Sequence, residues 1–193
     1  NTLSQPCEVI AWDNFMRGKP EWVKALQSTR PDVEFLTKDI IKDTDYGEVD
    51  FVIHGATIAS PTFYRKYPLA TIDANIQGLR NLLDYAVNNQ RLESLLFFST
   101  SEIYGDPDPA NIPTKETYRG HVSCTGPRAC YDESKRFGET LCVTFHQEFN
   151  VPVKIARPFN NYGPGLKITD KRVLPDFFRD VLNGQAIKLL SDG

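Results

Sequence analysis

The sequence lacks the cysteine spacing of a zinc or disulfide protein. It contains four cysteines, Cys7, Cys124, Cys130 and Cys142, and none forms a CxxC pair or a CxxC…HxxxH arrangement. No metal site is therefore expected. Scattered cysteines in a chain of 193 residues are typical of reduced, small core residues, so we expect a cytoplasmic protein.

An excess of positive charge and long apolar runs are also missing. Lys and Arg number 22 against 25 Asp and Glu, a formal net charge of -3. Nucleic acids and anionic membranes attract basic surfaces, so neither is expected as a partner. Apolar runs such as residues 95–98 are far shorter than the roughly 20 residues that span a bilayer. No secretory leader is visible at the first residues.

The sequence has the composition of an ordinary globular domain, with 40% apolar and 24% charged residues. Short, nearly continuous apolar strands alternate with helices, which is typical of a parallel sheet covered on both faces. The predicted strands are residues 8–12, 33–36, 49–54, 95–99, 153–157 and 187–190. The predicted helices are residues 20–27, 68–88, 128–149 and 173–182, and residues 105–113 and 160–165 are predicted loops. The fold class is therefore predicted to be a doubly wound α/β sheet.

Chemistry-bearing residues follow the predicted strand ends, where open α/β sheets bind their ligands. Asp13 comes after the first strand, where a carboxylate accepts hydrogen bonds from an adenosine ribose, or where it serves only as a turn residue. The hydroxyl and carboxylate run 99–102 follows a middle strand, and it also fits an ordinary polar turn. Tyr131 and Lys135 are four residues apart in a predicted helix, as a catalytic pair or as part of a solvated face. A cation at that spacing lowers the pKa of a tyrosine and makes it a plausible base.

In this order along an α/β pattern, these residues resemble the extended short-chain dehydrogenase/reductases, the NAD-dependent sugar epimerase/dehydratase group. The segments that carry the resemblance are WDNF at 12–15, HGA at 54–56, NIQG at 75–78, STSEIYG at 99–105, YDESK at 131–135 and RPFNNYGP at 157–164. Within that group, residues 101–107 and 120–136 are most similar to the UDP-glucuronate decarboxylases. The loop at 62–66 departs from the decarboxylase pattern.

The resemblance implies a mechanism. NAD+ accepts a hydride from C4 of a nucleotide sugar while Tyr131 removes the 4-hydroxyl proton. Lys135 holds the nicotinamide ribose and lowers the pKa of Tyr131, and Thr100 hydrogen-bonds the same hydroxyl. With UDP-glucuronate the resulting β-keto acid loses CO2. The resemblance assigns Ser101 and Glu102 to the sugar ring and to the proton at C5. Return of the hydride to C4 then gives UDP-xylose.

The resemblance also assigns binding residues. The implied NAD-binding residues are Asp13, Asn14, Phe15, Asp39, Ile40, Ala56, Asn75, Tyr131, Lys135 and Pro158. The implied UDP-sugar-binding residues are Ser60, Thr100, Glu102, Asn160 and Arg172. It further implies that the two long helices, 68–88 and 128–149, pair across a two-fold axis into a homodimer.

Two parts of the family pattern are missing from the sequence. There is no G-x-G-x-x-G turn, and little follows residue 160, where the substrate-binding region is expected to begin. We therefore interpret residues 1–193 as a partial NAD-binding domain without its first strand and most of its C-terminal lobe. About 20–30 further residues, one strand, turn and helix, are expected before Asn1.

Three other functions stay open at this point. A sugar 4,6-dehydratase needs an acid where this chain has Ser101, and a 4-epimerase leaves Glu102 without a role. A truncated or degenerate non-catalytic binding module fits the missing turn but has no need for the set formed by Thr100, Tyr131 and Lys135.

Overall fold

Five short parallel strands form two sheets in the computed structural model, which describes residues 6–163, 166–169 and 171–189. The strands are β1 (Val9–Asp13), β2 (Val33–Thr37), β3 (Phe51–His54), β4 (Ser94–Phe98) and β5 (Val153–Ala156). Strand β1 pairs with β2, and the other three pair in the order β3-β4-β5. Every pairing is parallel, which confirms the predicted fold class.

The grouping of the strands agrees with the strand order 3-2-1-4-5-6 of a doubly wound sheet. The five observed strands, β1 to β5, correspond to the strands numbered 2 to 6 in that order. The strand numbered 1 in that order lies between the equivalents of β1 and β3. No strand in the described ranges pairs with β1 or β3 on that side. Two apolar side chains of β3, Phe51 and Ile53, are 64% and 68% exposed.

Helices connect the parallel strands except β2 and β3, which a loop joins. The helices are α1 (Glu21–Thr29), α2 (Pro61–Lys66), α3 (Pro68–Asp73), α4 (Leu79–Asn88), α5 (Ala129–Phe149) and α6 (Val173–Leu182), with 3-10 turns at Ser101–Tyr104 and Pro109–Asn111. The sequence did not predict α2, because six residues are too short to show a helical period. In the described part of the chain, no helix is both long and apolar enough to cross a membrane.

The predicted helix 68–88 is interrupted by a π-helical segment, Ala74–Gly78. The wider turn accompanies two buried contacts. Asn75 is fully buried and its Nδ2 donates to Ser134 Oγ of α5 at 2.8 Å. A Cβ at Gly78 would lie 2.7 Å from Ile40 Cγ2, so only glycine allows the loop after β2 to approach this closely. Periodicity alone did not show this break, because apolar spacing continues through it.

The main core lies between α4, α5 and β4. Its fully buried members include Leu79, Leu83, Leu95, Phe97 and Cys142. The predicted apolar face of residues 68–88 is fully buried only at its middle, at Leu79 and Leu83, while Leu69 near its start is 74% exposed and Val87 near its end is 39% exposed.

Two predictions at the level of elements and burial were wrong. Residues 187–189 form no strand, Ile187 and Leu189 are exposed, and Leu190 lies outside the described residues. An apolar run becomes a strand only when a neighbour offers backbone hydrogen bonds. The four cysteines are all free thiols, but only Cys142 is buried, while Cys7 and Cys124 are exposed.

Candidate functional site

The turn after β4 presents a hydroxyl and a carboxylate at the carboxyl edge of the sheet. Thr100 is the N-cap of the 3-10 turn Ser101–Tyr104, and its Oγ1 accepts a hydrogen bond from the Glu102 N–H at 3.3 Å. The Ser101 N–H donates to the Pro158 carbonyl at 3.1 Å, which ties this turn to the end of β5. Thr100 is buried, while the Glu102 side chain is 31% exposed. The turn is therefore fixed by its backbone and open at its carboxylate.

Tyr131 lies on α5 beside this turn and is 7% exposed. Its ring stacks on Tyr64 of α2, with the centroids 5.2 Å apart and the planes at 12°. Burial raises the pKa of Tyr131, and the interaction with the Thr100 hydroxyl opposes that shift. Glu102 raises this pKa and Arg172 lowers it. The structure therefore brings Thr100, Glu102, Tyr131 and Arg172, which the sequence assigned separately, to one place.

Lys135 is 1% exposed, so the alternative interpretation, that Tyr131 and Lys135 belong to a solvated helix face, is wrong. Its Nζ donates to the Phe98 carbonyl at 2.6 Å and lies 4.8 Å from the centroid of the Phe97 ring. Burial lowers the pKa of Lys135 to about 8. The predicted lowering of the pKa of Tyr131 by Lys135 is not seen in this structure, because burial of the phenol dominates and the ammonium is bound to the strand end.

The residues after β1 form a tight turn. Asp13 Oδ1 accepts from the Phe15 N–H at 2.7 Å, and Asn14 Oδ1 accepts from the Met16 N–H at 3.1 Å. Phe15 adopts a left-handed φ of 49°. Asp39, after β2, organises its own turn by accepting from the Ile41 N–H at 3.1 Å. In the described ranges no hydrogen bond or ion pair joins Asp13, Asn14 or Asp39 to Tyr131.

The remaining assigned residues line the ends of β3 and β5. Ser60 is 1% exposed and caps α2, and its hydroxyl makes no hydrogen bond to any described residue. Arg172 donates to the carbonyl of neighbouring Ala59 at 3.4 Å. Ala56 follows β3 and is half-buried, while Asn160, beyond β5, is exposed. Ser60 and Arg172, two of the predicted substrate-binding residues, are therefore neighbours, and Asn160 has no described hydrogen bond to them.

The sequence missed a charge cluster at the start of α5. Arg128 forms ion pairs with Glu102 and with Asp132, the latter at 3.4 Å between Nε and Oδ2. The Tyr64 hydroxyl is buried nearby, and Arg128, Asp132 and Glu102 all act electrostatically on it. The available signal was the opposite-charge pair at positions 128 and 132, one helical turn apart.

Arg157, at the end of β5, was missed as well. Its guanidinium forms two hydrogen bonds to the Glu139 carboxylate of α5, at 2.8 and 2.6 Å, and donates to Tyr104 Oη at 3.0 Å and the Glu116 carbonyl at 2.7 Å. A bidentate pair between an arginine and a carboxylate fixes the relative orientation of the two side chains and also neutralises their charges. Arg157 fastens the loop after the 3-10 turn to the helix that carries Tyr131.

Asp132 is expected to make the stability of the protein depend on pH. Burial raises its pKa to about 6, and the Arg128 charge only partly offsets this effect. An acid whose pKa is raised by folding stabilises the fold below its unfolded pKa, and that contribution is lost as the pH rises through the folded value. Between pH 4 and 6, we expect the wild type to lose about 1–3 kcal/mol of stability relative to Asp132→Asn. Urea unfolding of both proteins across this range measures the difference, and a difference independent of pH contradicts it.

The chain is similar to known proteins in sequence and in fold. A family model described as NAD dependent epimerase/dehydratase family matches residues 1–193. UDP-glucuronic acid decarboxylase 6 of Arabidopsis thaliana is 38% identical over 187 residues, which are 96% of this chain and 52% of that protein. UDP-glucuronic acid decarboxylase 1 of the same plant is 40% identical over 187 residues, 96% of this chain and 41% of that protein. The chain thus spans about half the length of these curated relatives.

A solved structure has the same fold. The UDP-glucuronic acid 4-epimerase of Bacillus cereus in complex with NAD is 25% identical, with a TM-score of 0.77, covering 96% of this chain and 58% of that one.

Proposed function

The chain belongs to the NAD-dependent epimerase/dehydratase family, and from this premise we propose that the protein is an NAD-dependent decarboxylase that converts UDP-glucuronate to UDP-xylose. The observation that carries the proposal is the grouping of Thr100, Glu102 and Tyr131 around one position, with Lys135 one helical turn behind. The decarboxylase names of the curated relatives support this substrate.

The residues present fit NAD. The Asp13 carboxylate is exposed at the end of β1, as a ribose partner must be, and Lys135 and Tyr131 share one face of α5. We assign the cofactor contacts to these three residues together with Asn14 and Asn75, within an NAD-binding domain whose substrate region begins near residue 160. When bound, NAD supplies a reversible hydride acceptor for C4 of the sugar.

The chain's own residues then handle the proton and the sugar. Tyr131 and Thr100 interact with each other through their hydroxyls, so both can hydrogen-bond the same substrate hydroxyl, and Tyr131 takes its proton. Arg172 already lowers the pKa of Tyr131 against the effect of burial. Loss of CO2 leaves an enolate that must gain a proton at C5, and the Glu102 carboxylate, at the open side of the turn, is placed to relay that proton from solvent. Ser101 binds the ring.

Product analysis tests the proposal and separates the related reactions. The purified protein is incubated with UDP-glucuronate and NAD, and the products are identified by NMR. We expect CO2 and UDP-xylose. UDP-galacturonate without CO2 would instead show a 4-epimerase. Turnover of a UDP- or dTDP-hexose to a 4-keto-6-deoxy sugar, with none of UDP-glucuronate, would show a dehydratase. Absence of any turnover would favour a non-catalytic binding module.

We also propose a cytoplasmic homodimer, formed by the helical layer of α3, α4 and α5. Apolar side chains on these helices stay exposed, including Leu69, Val87, Phe137 and Val143. The four free thiols are compatible with a reducing compartment.

Sedimentation of a charged variant tests the dimer. Phe137 on α5 is 47% exposed, and Phe137→Arg should bury a charge in the proposed two-fold interface, so we expect a monomer at micromolar concentration. Leu182→Arg is the matched control, because Leu182 is 75% exposed on α6, outside the proposed interface. A wild-type monomer, or a dimer that survives Phe137→Arg, contradicts the proposal.

A further inference from the structure

An arginine bridges two carboxylates beside the proposed base. Arg128 Nη2 contacts Glu102 Oε2, and Arg128 Nε lies 3.4 Å from Asp132 Oδ2. Glu102 belongs to the turn after β4, whereas Arg128 and Asp132 lie at the start of α5. The guanidinium therefore joins the strand-end turn to the helix that carries Tyr131.

The exposure of the three side chains decreases from Arg128 through Glu102 to Asp132. The Asp132 side chain is 11% exposed, against 31% for Glu102 and 40% for Arg128. Asp132 is thus the fixed inner anchor, and the guanidinium extends from it toward the open side of the turn. Two carboxylates that share a site repel each other, and a cation between them removes that repulsion.

The position of the Glu102 carboxylate depends on Arg128. The Glu102 backbone is fixed by its N–H bond to Thr100 Oγ1 at 3.3 Å. For the carboxylate itself, Arg128 is the single ion-pair or hydrogen-bond partner in the described part of the chain. A glutamate side chain has several freely rotating bonds, and holding it in one rotamer requires such a partner.

We propose that Arg128 is a positioning residue that holds the Glu102 carboxylate against the substrate beside Tyr131, with Asp132 as the second anchor of its guanidinium. The inference rests on the proposed function and deepens it by naming what orients Glu102. A displacement of about 1 Å at a reacting group can lower a rate by about 100-fold. Lysine cannot replace this arginine, because an ammonium is a point charge without the planar fork that reaches two carboxylates.

The test compares two arginines that each bridge two carboxylates. Arg91 contacts Asp50 at 2.9 Å and Glu48 at 3.3 Å, near the amino end of β4 and away from the site. We expect Arg128→Lys to lower kcat by about 10–100-fold with KM for UDP-glucuronate changed little. Arg91→Lys should leave both constants unchanged. Melting temperatures of the two variants show whether a loss of rate reflects loss of folded protein.

A double-mutant cycle shows whether Arg128 acts through Glu102. In a Glu102→Gln background, Arg128→Lys should have almost no further effect on kcat, because the carboxylate it positions is gone. Asp132→Asn, which keeps the side-chain volume, should lower kcat in the same direction but by less than Arg128→Lys. If Arg128→Lys unfolds the protein, this second variant still decides the question.

The pH profile of kcat gives a readout that a purely structural role does not move. In Arg128→Lys the ammonium can satisfy only one carboxylate, so the acid limb should shift to higher pH. The titratable and charged groups that face the cluster are Tyr64 and Arg65 of α2, Glu102, Arg172, and Tyr131, Asp132 and Glu133 of α5.

The outcomes separate this inference from the proposed function. A wild type without turnover of UDP-glucuronate overturns the proposed function. A wild type with turnover, and an Arg128→Lys variant with the same kcat and pH profile, overturns the positioning role alone. Additive effects of Arg128→Lys and Glu102→Gln also contradict it.

Discussion

Tyr131→Phe is expected to lower kcat by about 10²–10⁴-fold, the usual contribution of a general base. The substitution removes only the phenolic oxygen, and the ring keeps its stacking on Tyr64 at 5.2 Å. Affinities for NAD and UDP-glucuronate should therefore change little. Steady-state kinetics for the rate and calorimetry for both ligands measure the two parts of this prediction separately.

Tyr67→Phe is the matched control, because Tyr67 is an exposed tyrosine at the junction of α2 and α3. It should behave as the wild type. If Tyr131→Phe keeps wild-type turnover, Tyr131 has no part in the proton transfer. If it loses ligand affinity in proportion to kcat, the role of the hydroxyl is binding rather than catalysis.

The second large effect is expected at Gly105, where the turn after β4 ends. Gly105 has φ 65° and ψ -130°, a conformation that side chains with a Cβ rarely adopt. A Cβ here would overlap the backbone carbonyl of His121, with which Gly105 forms a parallel bridge. Gly105→Ala should cost about 1–3 kcal/mol for the conformation and a similar amount for the clash. For a domain of this size that corresponds to a fall in Tm of roughly 6–20 °C.

Gly18→Ala isolates the contribution of the clash. Gly18 also has a positive φ, 82°, but nothing lies within 4 Å of the position of a Cβ. Only the conformational cost of about 1–2 kcal/mol is expected there. Thermal melts of both variants give the comparison. Equal Tm losses would show that the contact between Gly105 and His121 does not constrain the loop.

The sequence predicted what depends on local pattern. The parallel strands and the ends of α5 and α6 to within a residue follow from apolar periodicity and from residues that occur at strand ends. Residues such as Thr100 and Glu102 were identified because they directly follow a buried strand, where the fold places ligands.

Features that depend on contacts between distant segments were not predicted. The π-helical turn ends at Gly78, which packs closely against Ile40 of a distant loop, and none of the described strands pairs with the run 187–189. Arg128 and Glu102 are 26 positions apart, and nothing local indicates that they meet. The direction of the pKa shift of Tyr131 depends on its burial, which a helical spacing cannot reveal.

Decarboxylation with internal redox at C4 is the central claim, and one isotope experiment tests it most directly. UDP-glucuronate labelled with deuterium at C4 is incubated with the protein and unlabelled NAD, and the product is examined by NMR and mass spectrometry. The account predicts release of CO2 and UDP-xylose that retains the deuterium at C4. UDP-xylose without the label would contradict internal return of the hydride, and a labelled C4 epimer formed without CO2 would contradict decarboxylation.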